Sequence, residues 1–312
     1  MKPRLENIPE FDVKEHPYFL LPKRKIELSP VPDLTRKLQL TYRQFGQGQS
    51  IVMLHGLWSS AYRFRHLIQP LSSQYRLILP ELQDPDGMYT LPQINYSLET
   101  LAVLIAEICR ALDLSRPVIV GEGESGLAGI LLGLTQPEKI SALVVISAVL
   151  SPSTKTKLKG WLLRLPFLTN RWAKNGFQRP QQAAMSMLDY ADPSLFSRQE
   201  IRQLALSFRT WPRAKAKTQV LAQTLSTTYR QKLSQVIQEY QSTDKSFPVP
   251  LKLIYGKVAS FASPEQGEML RRLFPGAELF VDEHSAGGVH VENPEWTAKI
   301  IASLVQEAEK LH

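Results

Sequence analysis

A short acidic turn carries the side chains of this sequence that are best suited to chemistry. It reads Gly121-Glu122-Gly123-Glu124-Ser125-Gly126 and directly follows an apolar run from Pro117 to Val120. The carboxylates of Glu122 and Glu124 could exchange protons with a substrate, and the hydroxyl of Ser125 could attack one. The structural alternatives are that both glutamates stabilise a helix N-terminus and that Ser125 caps or packs there.

Histidines and the single cysteine are the other candidates. His55 follows a short apolar run, and His284 and His290 precede the last predicted helix. Histidine exchanges protons near neutral pH, but structural and solvated histidines are more common. Cys109 lies in an apolar helical pattern, which predicts a core thiol. Because neither metal-ligand spacing nor a P-loop pattern is present, we expect no metal and no other cofactor.

Alternating strands and helices must position these residues. Short apolar runs predict strands at 38–45, 51–54, 76–79, 117–120, 142–146, 251–255 and 278–281. Apolar residues at helical spacing predict helices at 97–112, 124–134, 264–273 and 294–311. This alternation predicts an α/β protein with a mostly parallel sheet that is flanked by helices.

Four motifs, in this order and at this spacing, resemble the α/β-hydrolase fold superfamily. They are His55-Gly56-Leu57-Trp58, Pro80-Glu81-Leu82, the glycine-rich turn at 121–126, and His290-Val291-Glu292-Asn293-Pro294. The resemblance runs from about Leu38 to the C-terminus, apart from a helical insertion. It implies the α/β-hydrolase fold with a helical cap.

The resemblance also implies where a catalytic serine, acid and base would stand. In the family pattern G-x-S-x-G the serine position is Gly123 here, the acid position is Ala259 and the base position is Gly287. A second register would make Ser125 the nucleophile, but it puts Leu127 where the tight turn requires a small residue. We therefore prefer the register with Gly123.

Glycine and alanine cannot attack a carbonyl, accept a proton or orient a base, so the resemblance implies a pseudoenzyme without the usual serine mechanism. The backbone N–H groups of Leu57 and Glu124 match the oxyanion-hole donors of the family. We expect a ligand pocket, larger and less polar than that of a working hydrolase. Its expected residues are Leu57, Trp58, Glu122, Gly123, Glu124 and Gly287.

Positive charge is concentrated in one part of the chain. The net charge is +8, yet residues 152–246 contain 16 Lys and Arg against 5 Asp and Glu, whereas the rest contains 21 against 24. We expect an N-terminal extension over 1–36, a hydrolase core over 37–151 and 247–312, and a basic helical cap over 152–246. The cap could attract an anionic membrane or an acidic protein, or be only a solvated surface.

The apolar and aromatic run at 161–168 lies between basic residues, which fits either a membrane interface or a helix that covers the pocket. No basic stripe interleaved with aromatic residues points to nucleic acid. We see neither a signal peptide nor a spanning segment, and we expect a soluble cytoplasmic protein, free or peripheral to a membrane.

Two functions remain open from the sequence. The first is non-hydrolytic binding of a small apolar or carbonyl-containing ligand, or of a partner. The second is a hydrolase or lyase with a rebuilt site that uses Glu122, Glu124, Ser125 or His284. A side chain from the cap could also reach into the site.

Overall fold

The computed structural model describes residues 16–29, 37–57, 59–82, 97–226, 228–242 and 246–311. Eight strands form one sheet: β1 (Arg24–Leu28), β2 (Leu38–Phe45), β3 (Ser50–Leu54), β4 (Arg76–Glu81), β5 (Val118–Glu122), β6 (Ala142–Ile146), β7 (Leu251–Gly256) and β8 (Glu278–Asp282). Their order is β1-β2-β4-β3-β5-β6-β7-β8. The β1–β2 and β2–β4 pairs are antiparallel, and the other pairs are parallel.

The described helices alternate with these strands and add an insertion. They are α1 (Pro17–Leu20), α2 (Arg65–Ser72), α3 (Leu98–Ala111), α4 (Glu124–Thr135), α5 (Thr154–Leu162), α6 (Pro166–Gln178), α7 (Pro180–Met187), α8 (Arg198–Ala205), α9 (Trp211–Thr224), α10 (Gln231–Gln241), α11 (Pro264–Leu273), α12 (Val289–Glu292) and α13 (Pro294–Lys310). The α/β class and its mostly parallel sheet, predicted from the sequence, are confirmed.

Helices cover both faces of the sheet. Every residue of β5 and of β6 is buried, as expected for central parallel strands that are covered on both sides. Helices α3, α4 and α10 contribute to the apolar cluster on one face, and α2 and α13 contribute to the cluster on the other. The hydroxyl of Ser97 accepts the Thr100 N–H and so caps the start of α3. The central strands are therefore held in place by packing on both faces of the sheet.

The sheet begins earlier in the chain than the predicted core. Strand β1 lies within the expected extension of 1–36 and pairs with β2, with Ile26 opposite Leu40. Most of its side chains are exposed. The sequence shows one short strand-like stretch in this region, but its apolar alternation is too weak to assign it to the sheet instead of the extension.

In the described part of the chain, six α-helices, α5 to α10, lie between β6 and β7. We propose that residues 152–246 form the cap, and we use that name below. The cap has two small apolar clusters of its own, one around Leu188 and Phe196 and one around Phe208. Its last helix, α10, packs against α4 in the core. Among the helices that the structure describes, none is both long and apolar enough to cross a bilayer.

Candidate functional site

A sharp turn joins β5 to α4, and Gly123 stands at its apex. Gly123 has φ +58° and ψ −123°, which glycine adopts at little cost. A Cβ atom there would meet only the Cα of Gly56, at 3.8 Å. At Gly121, by contrast, a Cβ would lie 2.5 Å from the backbone nitrogen of Gly126. The close approach of strand and helix therefore requires glycine at 121, and open space lies above 123.

A cavity of about 130 Å³ lies above this turn. Five of the six residues predicted for the pocket line it, namely Leu57, Glu122, Gly123, Glu124 and Gly287. Trp58, the sixth, lies outside the described residues. Ala259 is not among the lining residues, although Phe261 and Ala262 from the same loop are. The structure thus brings Gly123 and Gly287 to one cavity and leaves Ala259 at its margin.

Neither Ser125 nor Glu122 is placed for catalysis. Ser125 is fully buried, and its hydroxyl donates to the backbone oxygen of His55 at 2.7 Å. Glu122 accepts from Arg63 Nη1 at 2.6 Å and from the Gly56 N–H at 3.2 Å. Burial opposes its ionisation, but mainly Arg63 outweighs burial and lowers the pKa of Glu122 to about 2. Glu122 is therefore a permanently charged structural group.

Arg63, Arg65, Glu122 and Glu200 form a buried cluster, which we call the arginine–glutamate cluster. Arg63 Nε and Arg65 Nη2 each lie 3.3 Å from a carboxylate oxygen of Glu200, and all four residues are buried. Glu200 belongs to α8 of the cap, whereas Arg63 precedes α2 in the core. The Tyr190 hydroxyl also donates to Glu200. The cluster therefore ties the cap to the strand–helix turn.

The cap also places Asp189 in the site. Asp189 Oδ2 lies 3.0 Å from where a Cβ would stand at Gly287, and it accepts the Ser260 N–H at 3.1 Å. The Gly288 N–H donates to the backbone oxygen of Asp189, again at 3.1 Å. A cap side chain thus reaches the space beside Gly287. We expected a large and weakly polar pocket, but the cavity is small and has charged side chains along its wall.

Lys217, on α9, was not among the candidate residues that the sequence indicated. Its side chain is buried, and Nζ donates to the backbone oxygen of Leu57. Burial lowers the pKa of Lys217 to about 7, although Glu81 and Glu124 act in the opposite direction. Lys217 also lines a second cavity, of about 390 Å³, and Met187 lines both cavities. One lysine among the many basic residues of the cap gave no signal in the sequence.

Ser147 is a second residue that the sequence did not single out. It follows β6, lines the smaller cavity and has φ +50°, an unusual value for a residue other than glycine. Its hydroxyl is buried and has no hydrogen-bond partner among the described residues. A strained residue with a free polar group in a cavity is a candidate for ligand binding.

No histidine lines the smaller cavity in the described part of the chain. His55 is buried and accepts the Leu82 N–H at 2.9 Å, a structural role. His284 is exposed at the end of β8. His290 is buried against Phe64, and burial lowers its pKa to about 3, so it is neutral. Cys109 is buried in α3, and burial raises its pKa to about 12.

Comparisons with known proteins identify the fold family. The profile of the alpha/beta hydrolase fold family matches residues 49–294. The chain belongs to this family. It is 22% identical over 274 residues to the pimeloyl-[acyl-carrier protein] methyl ester esterase of Aeromonas salmonicida, covering 86% of this chain and 100% of that one.

Two further matches are a relative that is similar over a shorter stretch and a solved structure with the same fold. The magnesium-chelatase 30 kDa subunit of Rhodobacter capsulatus is 28% identical over 103 residues, 33% of this chain and 36% of that one. The crystal structure of the haloalkane dehalogenase DatA from Agrobacterium tumefaciens superposes with a TM-score of 0.71 at 20% identity, covering 92% and 97% of the two chains. This structural likeness shows the fold.

Within the described ranges, no group of three or more His, Cys, Asp or Glu is arranged to hold a metal ion.

Replacing Arg63 tests the arginine–glutamate cluster. We expect Arg63→Met to lower the free energy of unfolding by about 3–5 kcal/mol, because it leaves Glu122 and Glu200 short of a buried partner. The matched control is Arg271→Met, which breaks an exposed pair with Glu268 and should cost under about 0.5 kcal/mol. Urea unfolding at pH 7 measures both. Equal losses in the two variants would contradict the structural role of the cluster.

Lys217 should make stability depend on pH. Its pKa is about 7 when folded and 10.5 when unfolded, so the unfolded chain binds more protons between these values. Stability should therefore rise with pH above about 7, by at most about 1.4 kcal/mol per pH unit. We expect Lys217→Met to lose that slope between pH 7 and 9, and exposed Lys215→Met to keep it. Parallel urea-unfolding series would show this; an unchanged slope in Lys217→Met would refute the assignment.

Proposed function

We propose that this α/β-hydrolase-fold protein binds a small carbonyl-containing ligand and does not hydrolyse it by the serine mechanism. The observation that carries this proposal is Gly123 at the apex of the strand–helix turn, with open space above it. A serine hydrolase presents its nucleophile at this turn. Glycine offers no side chain there, and we assign the base and acid positions to Gly287 and Ala259.

The N-terminus of α4 supports carbonyl binding. The first N–H groups of a helix have no partner within the helix, and the helix dipole makes this end positive. Glu124 begins α4 and lines the cavity, so its N–H is suited to a carbonyl oxygen. The hydroxyl of Ser147 supplies a second donor in the same cavity.

The charges around the cavity favour a neutral ligand. Three carboxylates, those of Glu122, Glu124 and Asp189, line it, and Arg63 is the one cation among the described lining residues. An anionic carboxylate ligand would be repelled by this excess of negative charge. An ester, ketone or amide presents the same carbonyl oxygen without this electrostatic repulsion.

Cavity size favours a ligand with an apolar tail. A volume of about 130 Å³ holds a group of about the size of benzene. Met187 lines both this cavity and the larger one, whose lining includes Trp172 and Phe208. Methionine is flexible, so a shift of its side chain would let a tail pass from one cavity to the other.

A rebuilt active site is the competing proposal. Asp189, Glu124 and Ser147 all line the cavity and could act as acid, base or nucleophile in a hydrolase or lyase. Of the groups first considered for this role, Glu122, Ser125 and His284 are less suited, because two are engaged in buried structural contacts and one is exposed. The relatives include both an esterase and a chelatase subunit, so they favour neither proposal over the other.

Ester turnover separates the two proposals. We expect the purified full chain to leave p-nitrophenyl acetate and octanoate uncleaved above background and to remain unlabelled by a fluorophosphonate, because Gly123 provides no nucleophile. Absorbance at the p-nitrophenolate band and gel fluorescence measure these outcomes. Turnover at enzymatic rates that disappears in Ser147→Ala or Asp189→Asn would reject the binding proposal and establish the rebuilt site.

Calorimetry with methyl hexanoate tests binding itself. We expect the ester to bind and to be recovered intact, and the hexanoate anion to bind more weakly at pH 7. Loss of one hydrogen bond in Ser147→Ala should weaken ester binding about fivefold. Ser151→Ala is the control, since Ser151 is exposed and outside the cavity. If neither ester nor anion binds and nothing is cleaved, the carbonyl-ligand proposal fails.

A further inference from the structure

The outer surface of the cap exposes large apolar side chains. In α5, Leu158, Trp161 and Leu162 have the spacing of one helical face, and each is exposed, Trp161 to 58%. Phe167, near the start of α6, is exposed to 67%. These residues would normally be covered, because a soluble surface rarely gathers several large apolar groups in one short segment.

Cations are interleaved with these apolar residues. Residues 152–188 contain seven Lys and Arg and no Asp or Glu. Arg164, Arg171, Lys174 and Arg179 are exposed. No acidic side chain of this segment neutralises them, so the surface combines positive charge with aromatic and aliphatic groups.

Helix α6 exposes both aromatic and cationic side chains to solvent. Its buried residues, Thr169, Ala173 and Gly176, share one face. At 100° per residue, Phe167 and Lys174 lie on the opposite face. Aromatic residues beside cations on the solvent side are typical of helices that lie in a membrane interface.

A cavity beside this surface suits an anionic headgroup. It has a volume of about 390 Å³ and lies between the α5–α6 turn and α9. Arg164 and Lys215 both line it, together with the polar side chains of Asn170 and Gln219 and without any carboxylate among the described lining residues. Two cations and several amides match the charge and the acceptor oxygens of a phosphate ester.

We propose that residues 158–179, with Lys215, form a docking surface for a bilayer that contains anionic phospholipid. Trp161, Leu158 and Phe167 enter the boundary between headgroups and acyl chains, while Arg164 and Lys215 hold a lipid phosphate. A lipid surface fits better than an acidic protein, because the cavity lined by Arg164 and Lys215 matches a single phosphate headgroup and because lysine is depleted in protein–protein interfaces. This inference is independent of what occupies the cavity above Gly123.

Cosedimentation of the full chain with vesicles tests the proposal. We expect binding to vesicles of phosphatidylglycerol and phosphatidylcholine, weak binding to phosphatidylcholine alone, and a blue shift of tryptophan emission on binding. The double variant W161S/F167S should lose at least tenfold in partition coefficient. The double variant R164Q/K215Q should lose about tenfold at 0.1 M salt.

Matched controls separate this surface from general charge and hydrophobicity. L20S/L311S removes two equally exposed apolar residues elsewhere, and R24Q/R272Q removes two exposed cations elsewhere. Both should bind vesicles as the unchanged chain does, and circular dichroism checks that all four variants are folded. Three results would each overturn the proposal: no binding to phosphatidylglycerol vesicles at 0.05 M salt, equal losses in controls and test variants, or equally tight binding to polyglutamate that W161S/F167S leaves intact.

Discussion

Burial of two arginines and two glutamates at the junction of cap and core is the constraint on which the rest of the site depends. Each charge loses several kcal/mol of hydration on burial, and only its partners offset that loss. Glu122 ends β5, Arg63 precedes α2, and Glu200 lies in the cap. The strand–helix turn, the adjoining loop and the cap can therefore reach their stable arrangement only together.

The attachment of the cap through the arginine–glutamate cluster explains why the cavity above Gly123 is small. Once Glu200 is drawn to Arg63, the segment that follows α7 lies across the carboxyl ends of the central strands. Asp189 and Tyr190 are then held by hydrogen bonds to core loops and to the cluster. Glu292 adds to this closure, since its carboxylate accepts the N–H groups of Ala191 and Ala286, each at 2.7 Å. A cap fastened at so many points leaves only a small cavity above Gly123.

Local pattern was enough to predict most of the fold. The central strands are continuous apolar runs and the flanking helices have apolar residues at helical spacing, so burial shows directly in the sequence. The order of four short motifs then gave the superfamily and placed Gly123 at the turn. Strand β1 was not part of the predicted core, because an exposed edge strand has little apolar signal.

The cap side of the site could not be predicted, and the reason is distance along the chain. Asp189 and Ser260 are 71 residues apart, and Lys217 and Leu57 are 160 residues apart. Nothing in the local sequence of Glu200, Asp189 or Lys217 distinguishes these residues from solvated charges. Only the packing of the cap, which sequence periodicity does not specify, makes them buried and interacting groups.

The contact between Asp189 and Gly287 restricts which residues can replace Gly287. Any side chain larger than hydrogen at position 287 would press against the carboxylate of Asp189, whose position is held by Ser260 and Gly288. A larger side chain at position 287 therefore requires the Asp189 carboxylate to shift away from the Ser260 N–H. The residue types at positions 189 and 287 are therefore coupled, because a larger side chain at 287 fits most easily beside a smaller one at 189.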